Sequence, residues 1–252
     1  MAETSFDLLD FANNFPAKDG SYRLKSEDYF IEVLFQSNGV YDDSDYIIVS
    51  LGGAISNRKV KKAPFYTCMG LSKDIDLPLL SISDPSLNLS DDFSLGWYAG
   101  NEYQRQLPYR LADFFDCLIV SSKKKILFIG GSGGGFAILS IHALMKDVDN
   151  SVAIVWNPQT KIIDYSLGHA NRYLNAAYAN SKAWRDNDRE SISEFLQENV
   201  RSEIFRDENK KAIVFMDGYD HNHLRLHLAP WLKGEELIRR EENCLVYNNL
   251  IV

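Results

Sequence analysis

Cysteine is scarce in this chain: its 252 residues contain only Cys68, Cys117 and Cys244. Cysteines so few and so far apart supply neither a disulfide framework nor the paired CxxC spacing of a zinc knuckle. Dense disulfides are typical of small secreted domains, whereas isolated free cysteines are typical of reducing compartments. We therefore exclude a disulfide-stapled domain and predict a cytoplasmic protein.

Long apolar runs are lacking as well. No stretch approaches the roughly 18 apolar residues that a membrane span requires. The first residues, Met1-Ala2-Glu3-Thr4, do not have the charged, apolar and small-residue order of a signal peptide. We expect no membrane span, and no sequence feature fixes the oligomeric state.

Positive charge is in deficit, since 27 Lys and Arg face 35 Asp and Glu, for a net charge of -8. Nucleic-acid binding needs clustered basic residues. The two basic runs, at 58–62 and 123–125, are explained by a solvated loop and by the entrance to a strand. Nucleic acid is therefore excluded as a partner.

What the chain does contain is a regular alternation of short apolar strands and helices. Amphipathic spacing predicts a helix over 103–118, and an apolar run predicts another over 136–145. The predicted strands, all short and apolar, lie at 29–35, 46–51, 79–83, 126–129, 152–156, 212–216 and 244–252. This order predicts an α/β fold with a mostly parallel sheet and helices on both faces. We predict one domain, 1–252, in which the polar and aromatic region 161–209 is a helical insertion over the carboxyl ends of the strands.

The most informative motif is GGSGG at 130–134, which matches G-x-S-x-G with Ser132 at its centre. An apolar strand runs directly into it and an apolar helix follows, which is the context of the nucleophile elbow in α/β-hydrolases. Small neighbours allow the strained turn that exposes the serine hydroxyl. The elbow also predicts an oxyanion hole formed by the N–H of Gly133 and by an amide of the loop after the second strand, for which we choose Gly53.

Two other interpretations of the glycine run stay open. A phosphate-binding loop would need Gly-Lys-Ser/Thr at its end, and a dinucleotide fingerprint would need a glycine where Phe136 stands. Only a looser dinucleotide spacing can be fitted. The other alternative is a tight strand-to-helix turn without chemistry.

An activated serine needs a base and an acid that orients the base. In α/β-hydrolases the acid follows a later strand, which favours Asp220 over Asp217. The usual late histidine is lacking, so the base comes from the cluster at 221–227, from a C-terminal tail absent from this sequence, or is missing from a non-catalytic site. Within the cluster we choose His223.

A metal site is the remaining possibility for the histidine cluster. The pattern H-x-H-x-D-H is broken after His221-Asn222-His223, since Arg225 and Leu226 take its last two places. We expect no metal.

Several segments resemble a group of bacterial capsule-polysaccharide biosynthesis proteins with an α/β-hydrolase fold. The resemblance is carried by SISDP at 81–85, LGWYAGN at 95–101, the glycine run at 130–137, WNPQT at 156–160 and HLRLH at 223–227. The group is similar to serine-dependent capsule O-acetyltransferases. The resemblance implies transfer of an acetyl group from acetyl-CoA to a sugar hydroxyl, with Ser132 as nucleophile and Asp220 as acid.

Two functions therefore stand as hypotheses. The first is acyl transfer or ester hydrolysis on a surface polysaccharide or its precursor, with no tightly bound cofactor and a glycan and an acyl donor as partners. The second is a non-catalytic hydrolase-like module that binds glycan or assists assembly. In either case we expect Trp97, Asn157 and His227 to contact substrate.

Overall fold

The structure, a computed structural model, describes residues 5–15, 18–147, 149–233, 239–241, 244–247 and 250–252. Within these residues eleven strands form one sheet. In chain order the strands are β1 Ser5–Asp7, β2 Gly20–Ser26, β3 Tyr29–Gln36, β4 Tyr46–Leu51, β5 Leu79–Ile82, β6 Lys125–Gly131, β7 Ser151–Trp156, β8 Ala212–Phe215, β9 Arg239–Glu241, β10 Cys244–Tyr247 and β11 Leu250–Ile251. Their order across the sheet is β1-β2-β3-β5-β4-β6-β7-β8-β11-β10-β9.

Helices connect most of the strands. They are α1 Leu8–Asn13, α2 Met69–Asp74, α3 Leu107–Ser122, α4 Gly133–His142, α5 Ile162–Tyr165, α6 Leu167–Ala177, α7 Arg189–Asn199, α8 His221–His223 and α9 Ala229–Trp231. A π-helical stretch, Leu224–Leu228, joins α8 to α9.

The centre of the sheet is parallel. The neighbours β5, β4, β6, β7, β8 and β11 all run in the same direction. The carboxyl ends of parallel strands meet at one edge, which is where open α/β sheets bind ligands. The segments after β4, β6, β7 and β8 bring Gly53, Ser132, Asn157 and Asp220 to this edge.

Both faces of the sheet are covered. Successive side chains of a strand point to opposite faces, so Ile47 belongs to the main core whereas Ile48 belongs to a second cluster. On the main face, α3 packs against β6, with the rings of Phe115 and Phe128 4.9 Å apart. On the other face, Cys68 beside α2 packs against the second cluster. The predicted α/β class, a mostly parallel sheet with helices on both faces, is confirmed.

Some element boundaries differ from the prediction. Helix α3 begins at Leu107 rather than 103, because Pro108 lacks an N–H and suits a first turn. The apolar run at 244–252 is not one strand: β10 and β11 pair antiparallel, with Val246 opposite Ile251. Residues 248 and 249 of the predicted strand lie outside the described residues.

The region 161–209 contains α5, α6 and α7 and no named strand. It packs against the 95–101 segment through Tyr173 of α6, whose hydroxyl donates a hydrogen bond to the carbonyl oxygen of Gly100 at 2.7 Å. Its assignment as an insertion over the strand ends, within one domain, stays a prediction.

Candidate active site

Ser132 occupies a strained turn between β6 and α4. Its backbone has φ 53° and ψ -119°, a conformation that non-glycine residues adopt only where the surroundings impose it. The surroundings here are backbone hydrogen bonds. Ser132 N–H donates to the carbonyl of Trp156 at 3.0 Å, and Ser132 O accepts from the N–H groups of Phe136 and Gln159 at 3.0 and 3.3 Å. The geometry is that of a nucleophile elbow, with the half-buried Ser132 side chain at the sheet edge.

The glycines around Ser132 are required by close backbone contacts. A Cβ on Gly134 would lie 2.2 Å from the carbonyl oxygen of Leu51, and a Cβ on Gly130 would lie 2.8 Å from that same atom. Both positions therefore accept only a hydrogen, which lets α4 start directly above β4 and β6.

Gly53 lies beside the elbow, as an oxyanion hole would need. A Cβ built on Gly53 would be 3.7 Å from the Cβ of Ser132 and 3.8 Å from the nitrogen of Gly133. Gly133 is the first residue of α4, so its N–H has no acceptor within the helix. The structure thus brings the two residues chosen for the oxyanion hole together.

Asp220 and His223 form a hydrogen-bonded pair after β8. Asp220 Oδ2 lies 2.7 Å from His223 Nδ1, and Asp220 Oδ1 accepts the backbone N–H of His223 at 3.1 Å. The backbone N–H of His223 is the largest cause of a lowered pKa of the Asp220 carboxyl. Because a carboxylate accepts hydrogen bonds, it favours the tautomer that carries the proton on Nδ1 and leaves a lone pair on Nε2.

The Nε2 atom of His223 is buried and has no hydrogen-bond partner. The hydrogen bond between His223 and Ser132 is therefore not made in this structure. Ring contacts nevertheless connect the two residues. The ring centroids of His223 and Tyr165 are 6.1 Å apart, and those of Tyr165 and Trp97 are 6.5 Å apart. The Trp97 indole donates a hydrogen bond to Gln159, which in turn donates one to Ser132.

Gln159 is a site residue that the motif analysis did not select. Its Nε2 donates a hydrogen bond to Ser132 Oγ at 3.0 Å, and its Oε1 accepts one from Nε1 of Trp97. The side chain is completely buried. The one feature of the sequence that could have indicated Gln159 is its place in WNPQT at 156–160, just after β7, the strand next to β6.

Two of the predicted substrate contacts, Trp97 and His227, lie in buried positions. Trp97 is only 1% exposed, so its ring face is covered by protein and its polar N–H is used by Gln159. His227 is also 1% exposed, and its Nδ1 accepts the N–H of Thr160 at 3.3 Å. Burial lowers the pKa of His227 to about 4, so it is a neutral packed residue at physiological pH. Both side chains are enclosed by protein in this structure, and their contact with substrate stays a prediction.

Asn157, the third predicted contact, is half-buried and has φ 39°. Its Oδ1 accepts the backbone N–H of Asp217 at 2.8 Å, and its own N–H donates to Phe215 O at 2.8 Å. It ties the ends of β7 and β8 together, and its role in substrate binding stays a prediction.

Neither a metal-binding cluster nor a membrane-spanning helix is present among the residues that the structure describes. There, no group of three or more His, Cys, Asp and Glu side chains is arranged to hold a metal ion. Within that same part of the chain, no helix combines the length and the apolar character needed to cross a bilayer.

No protein-family model and no curated protein sequence matches the chain. Solved structures do. The capsule O-acetyltransferase of Neisseria meningitidis serogroup A is 17% identical, with a TM-score of 0.59 over 87% of this chain and 82% of that one. The same enzyme in complex with caged gadolinium has a TM-score of 0.54 at the same identity and coverage. An acylaminoacyl peptidase of Pyrococcus horikoshii has a TM-score of 0.48 at 14% identity, over 84% of this chain and 34% of that one.

At such identities the likeness establishes the fold. It confirms the α/β-hydrolase-like class, and it supports, for the fold, the resemblance to capsule O-acetyltransferases that the sequence segments indicated.

Proposed function

We propose that this chain catalyses serine-dependent acyl transfer or ester hydrolysis, with Ser132 as the nucleophile. The observation that carries the proposal is the elbow itself: a serine held at φ 53° between β6 and the buried helix α4, since strained backbone of this kind clusters at functional sites. The Asp220–His223 pair supports it, since a carboxylate-bound imidazole with a free Nε2 is the arrangement of a general base.

The proposed reaction has two steps. Ser132 Oγ attacks the acyl carbonyl while its proton moves to His223 Nε2, and the N–H groups of Gly133 and Gly53 receive the developing oxyanion. The leaving group takes the proton from His223 as its bond to carbon breaks. An acceptor hydroxyl, or water, then attacks the acyl-enzyme by the same route and releases Ser132.

For the substrate we propose a bacterial surface polysaccharide or its precursor as acceptor, with acetyl-CoA as donor. Support comes from the shared fold with a capsule O-acetyltransferase and from the resemblance at 95–101 and 156–160. Ester hydrolysis differs only in that water replaces the sugar hydroxyl.

One observation favours the alternative, a non-catalytic glycan-binding or assembly module. Ser132 Oγ is bonded by Gln159, while His223 Nε2 has no partner. The two functions predict opposite results with a small activated ester, which any activated serine cleaves.

The test is the hydrolysis of p-nitrophenyl acetate by the wild type and by Ser132→Ala. We expect at least roughly a thousandfold loss of kcat/KM, since triad members act as a unit, with an unchanged melting temperature. The matched control is Ser122→Ala, because Ser122 ends α3 just before β6 begins, at the opposite edge of the sheet. Full activity in Ser132→Ala, or none in the wild type, would contradict the proposal.

A further inference from the structure

The amide of Gln159 has only one orientation compatible with its neighbours. The indole Nε1–H of Trp97 is a donor and never an acceptor, so the Gln159 atom that it meets is the carbonyl Oε1. The NH2 group must then face Ser132 Oγ, 3.0 Å away. With the Gln159 side chain fully buried and Trp97 only 1% exposed, water cannot replace the bond between these two side chains.

This orientation determines how the serine hydroxyl is used. A hydroxyl has one proton and two lone pairs. One lone pair of Ser132 Oγ accepts from Gln159, so the proton is directed to another acceptor. A serine that is held as an acceptor in this way is prepared to give its proton to a base.

We propose that Gln159 is a catalytic residue: its N–H stabilises negative charge on Ser132 Oγ whenever that atom carries it. The inference rests on the proposed function, whose site it extends. Charge appears on Oγ twice. It appears first as the proton passes to the base and the Oγ–C bond forms. It appears again when the acyl-enzyme collapses, because the Oγ–C bond breaks, its electron pair returns to Oγ, and the base hands the proton back. A donor to an ionised oxygen bonds more strongly than to a neutral one, so the contact favours both transition states over the resting hydroxyl.

Trp97 serves as a positioning residue for this donor. Trp97 and Tyr98 both have positive φ, 56° and 52°, which is unfavourable for aromatic residues. The turn is held by the buried carboxyl of Asp84, whose Oδ2 accepts the N–H of Tyr98 at 2.9 Å. Gly96 is needed beneath it, since a Cβ there would lie 2.7 Å from that same oxygen. The strained turn thus aims the indole at Gln159.

The first test is Gln159→Met, which keeps the length of the side chain and removes its N–H groups. We expect kcat for p-nitrophenyl acetate to fall about 10- to 100-fold, the range of one hydrogen bond to a charged atom, with KM nearly unchanged. The matched control is Gln104→Met. Gln104 is equally buried and donates to the carbonyl of Ser26 at 3.2 Å, away from Ser132. If Gln159→Met retains wild-type kcat, or shifts KM instead, the inference is overturned.

The second test is Trp97→Phe, which deletes the indole N–H and preserves a ring. We expect a smaller fall in kcat, because the amide is then free to flip, and little further loss when Trp97→Phe is added to Gln159→Met. Trp184→Phe is the matched control, since the buried Nε1 of Trp184 has no partner. Fully additive losses from the two site variants would show that Trp97 does not act through Gln159.

A readout independent of turnover separates this inference from the proposed function. In NMR spectra, the side-chain amide of Gln159 should shift in Ser132→Ala and in Trp97→Phe, and stay in place in Gln104→Met. An inactive wild type that shows these shifts would overturn the proposed function and the catalytic role while leaving the contact intact. An active wild type with no shift in Ser132→Ala would overturn the inference alone.

Discussion

Among single residues, Gly134 gives the clearest steric test of the elbow. A Cβ at this position would lie 2.2 Å from Leu51 O and 2.9 Å from the carbonyl carbon of Gly52. Both are backbone atoms of β4 and the loop that follows it, so relief would require moving a central strand or the helix. Since neither atom belongs to a side chain, no change of rotamer can make room for the methyl group.

We therefore expect Gly134→Ala to lower the free energy of unfolding by about 1–3 kcal/mol, the usual cost of an overpacked core position. The matched control is Gly70→Ala in the exposed α2, where a Cβ would meet nothing within 4 Å. There, alanine should be neutral or stabilise by up to about 1 kcal/mol. Urea denaturation of the two variants checks this, and equal stabilities would refute the steric account.

The sequence was sufficient to find Ser132, because glycines, strand and helix all converge on that position. The sequence could not show that Trp97 and His227 are buried, since an aromatic residue or a histidine near a motif has the same pattern whether its ring is enclosed or exposed. Gln159 was missed for a related reason. A lone glutamine has no distinctive spacing, and its contact to Ser132 depends on how β6 and β7 lie side by side.

At the scale of elements, the central strands were predictable and the edges were not. The strand predicted at 46–51 coincides with β4, because a strand buried on both faces is continuously apolar. The edge strand β1 and its neighbour β2 were missed, since β2 has few apolar residues and lies within a charged sequence. Helix α4 begins three residues before the predicted start. Glycine is a weak helix former, so residues 133–135 were not predicted as helical. Glycine stands there because a larger side chain would not fit.

Helix α4 is connected to β7 through a buried histidine, which gives the fold a pH dependence. His142 is 2% exposed, and its Nε2 lies 3.0 Å from Ser151 Oγ. Burial, aided by the nearby positive charge of Lys210, lowers the pKa of His142 from 6.5 to about 4. Between these values the unfolded chain binds a proton that the folded chain does not.

The contribution of His142 to stability should therefore be fully present above pH 6.5 and be lost as the pH falls towards about 4. Replacement by Gln, which cannot titrate, should flatten the decline over this window. Denaturant unfolding of both proteins at intervals between these pH values measures the difference. Parallel stability curves for the wild type and His142→Gln would contradict the assignment.

For the molecule as a whole, the order of strands and helices was enough to predict an α/β fold with a mostly parallel sheet, and the glycine-serine motif added the hydrolase-like type; the sheet and the fold shared with a capsule O-acetyltransferase confirm both. The arrangement of the site depends on parts that are distant in sequence. Gly53, Ser132, Gln159 and the Asp220–His223 pair follow four different strands, and only the strand order β4-β6-β7-β8 brings them to one edge. No local pattern carries that information.

The most direct test of the central claim is labelling by a fluorophosphonate probe, which reacts only with an activated serine, followed by mass spectrometric mapping of the adduct. The wild type should carry one probe on the peptide that contains Ser132, and Ser132→Ala should carry none. An unlabelled wild type, or an adduct that persists in Ser132→Ala, would contradict the assignment of Ser132 as a catalytic nucleophile.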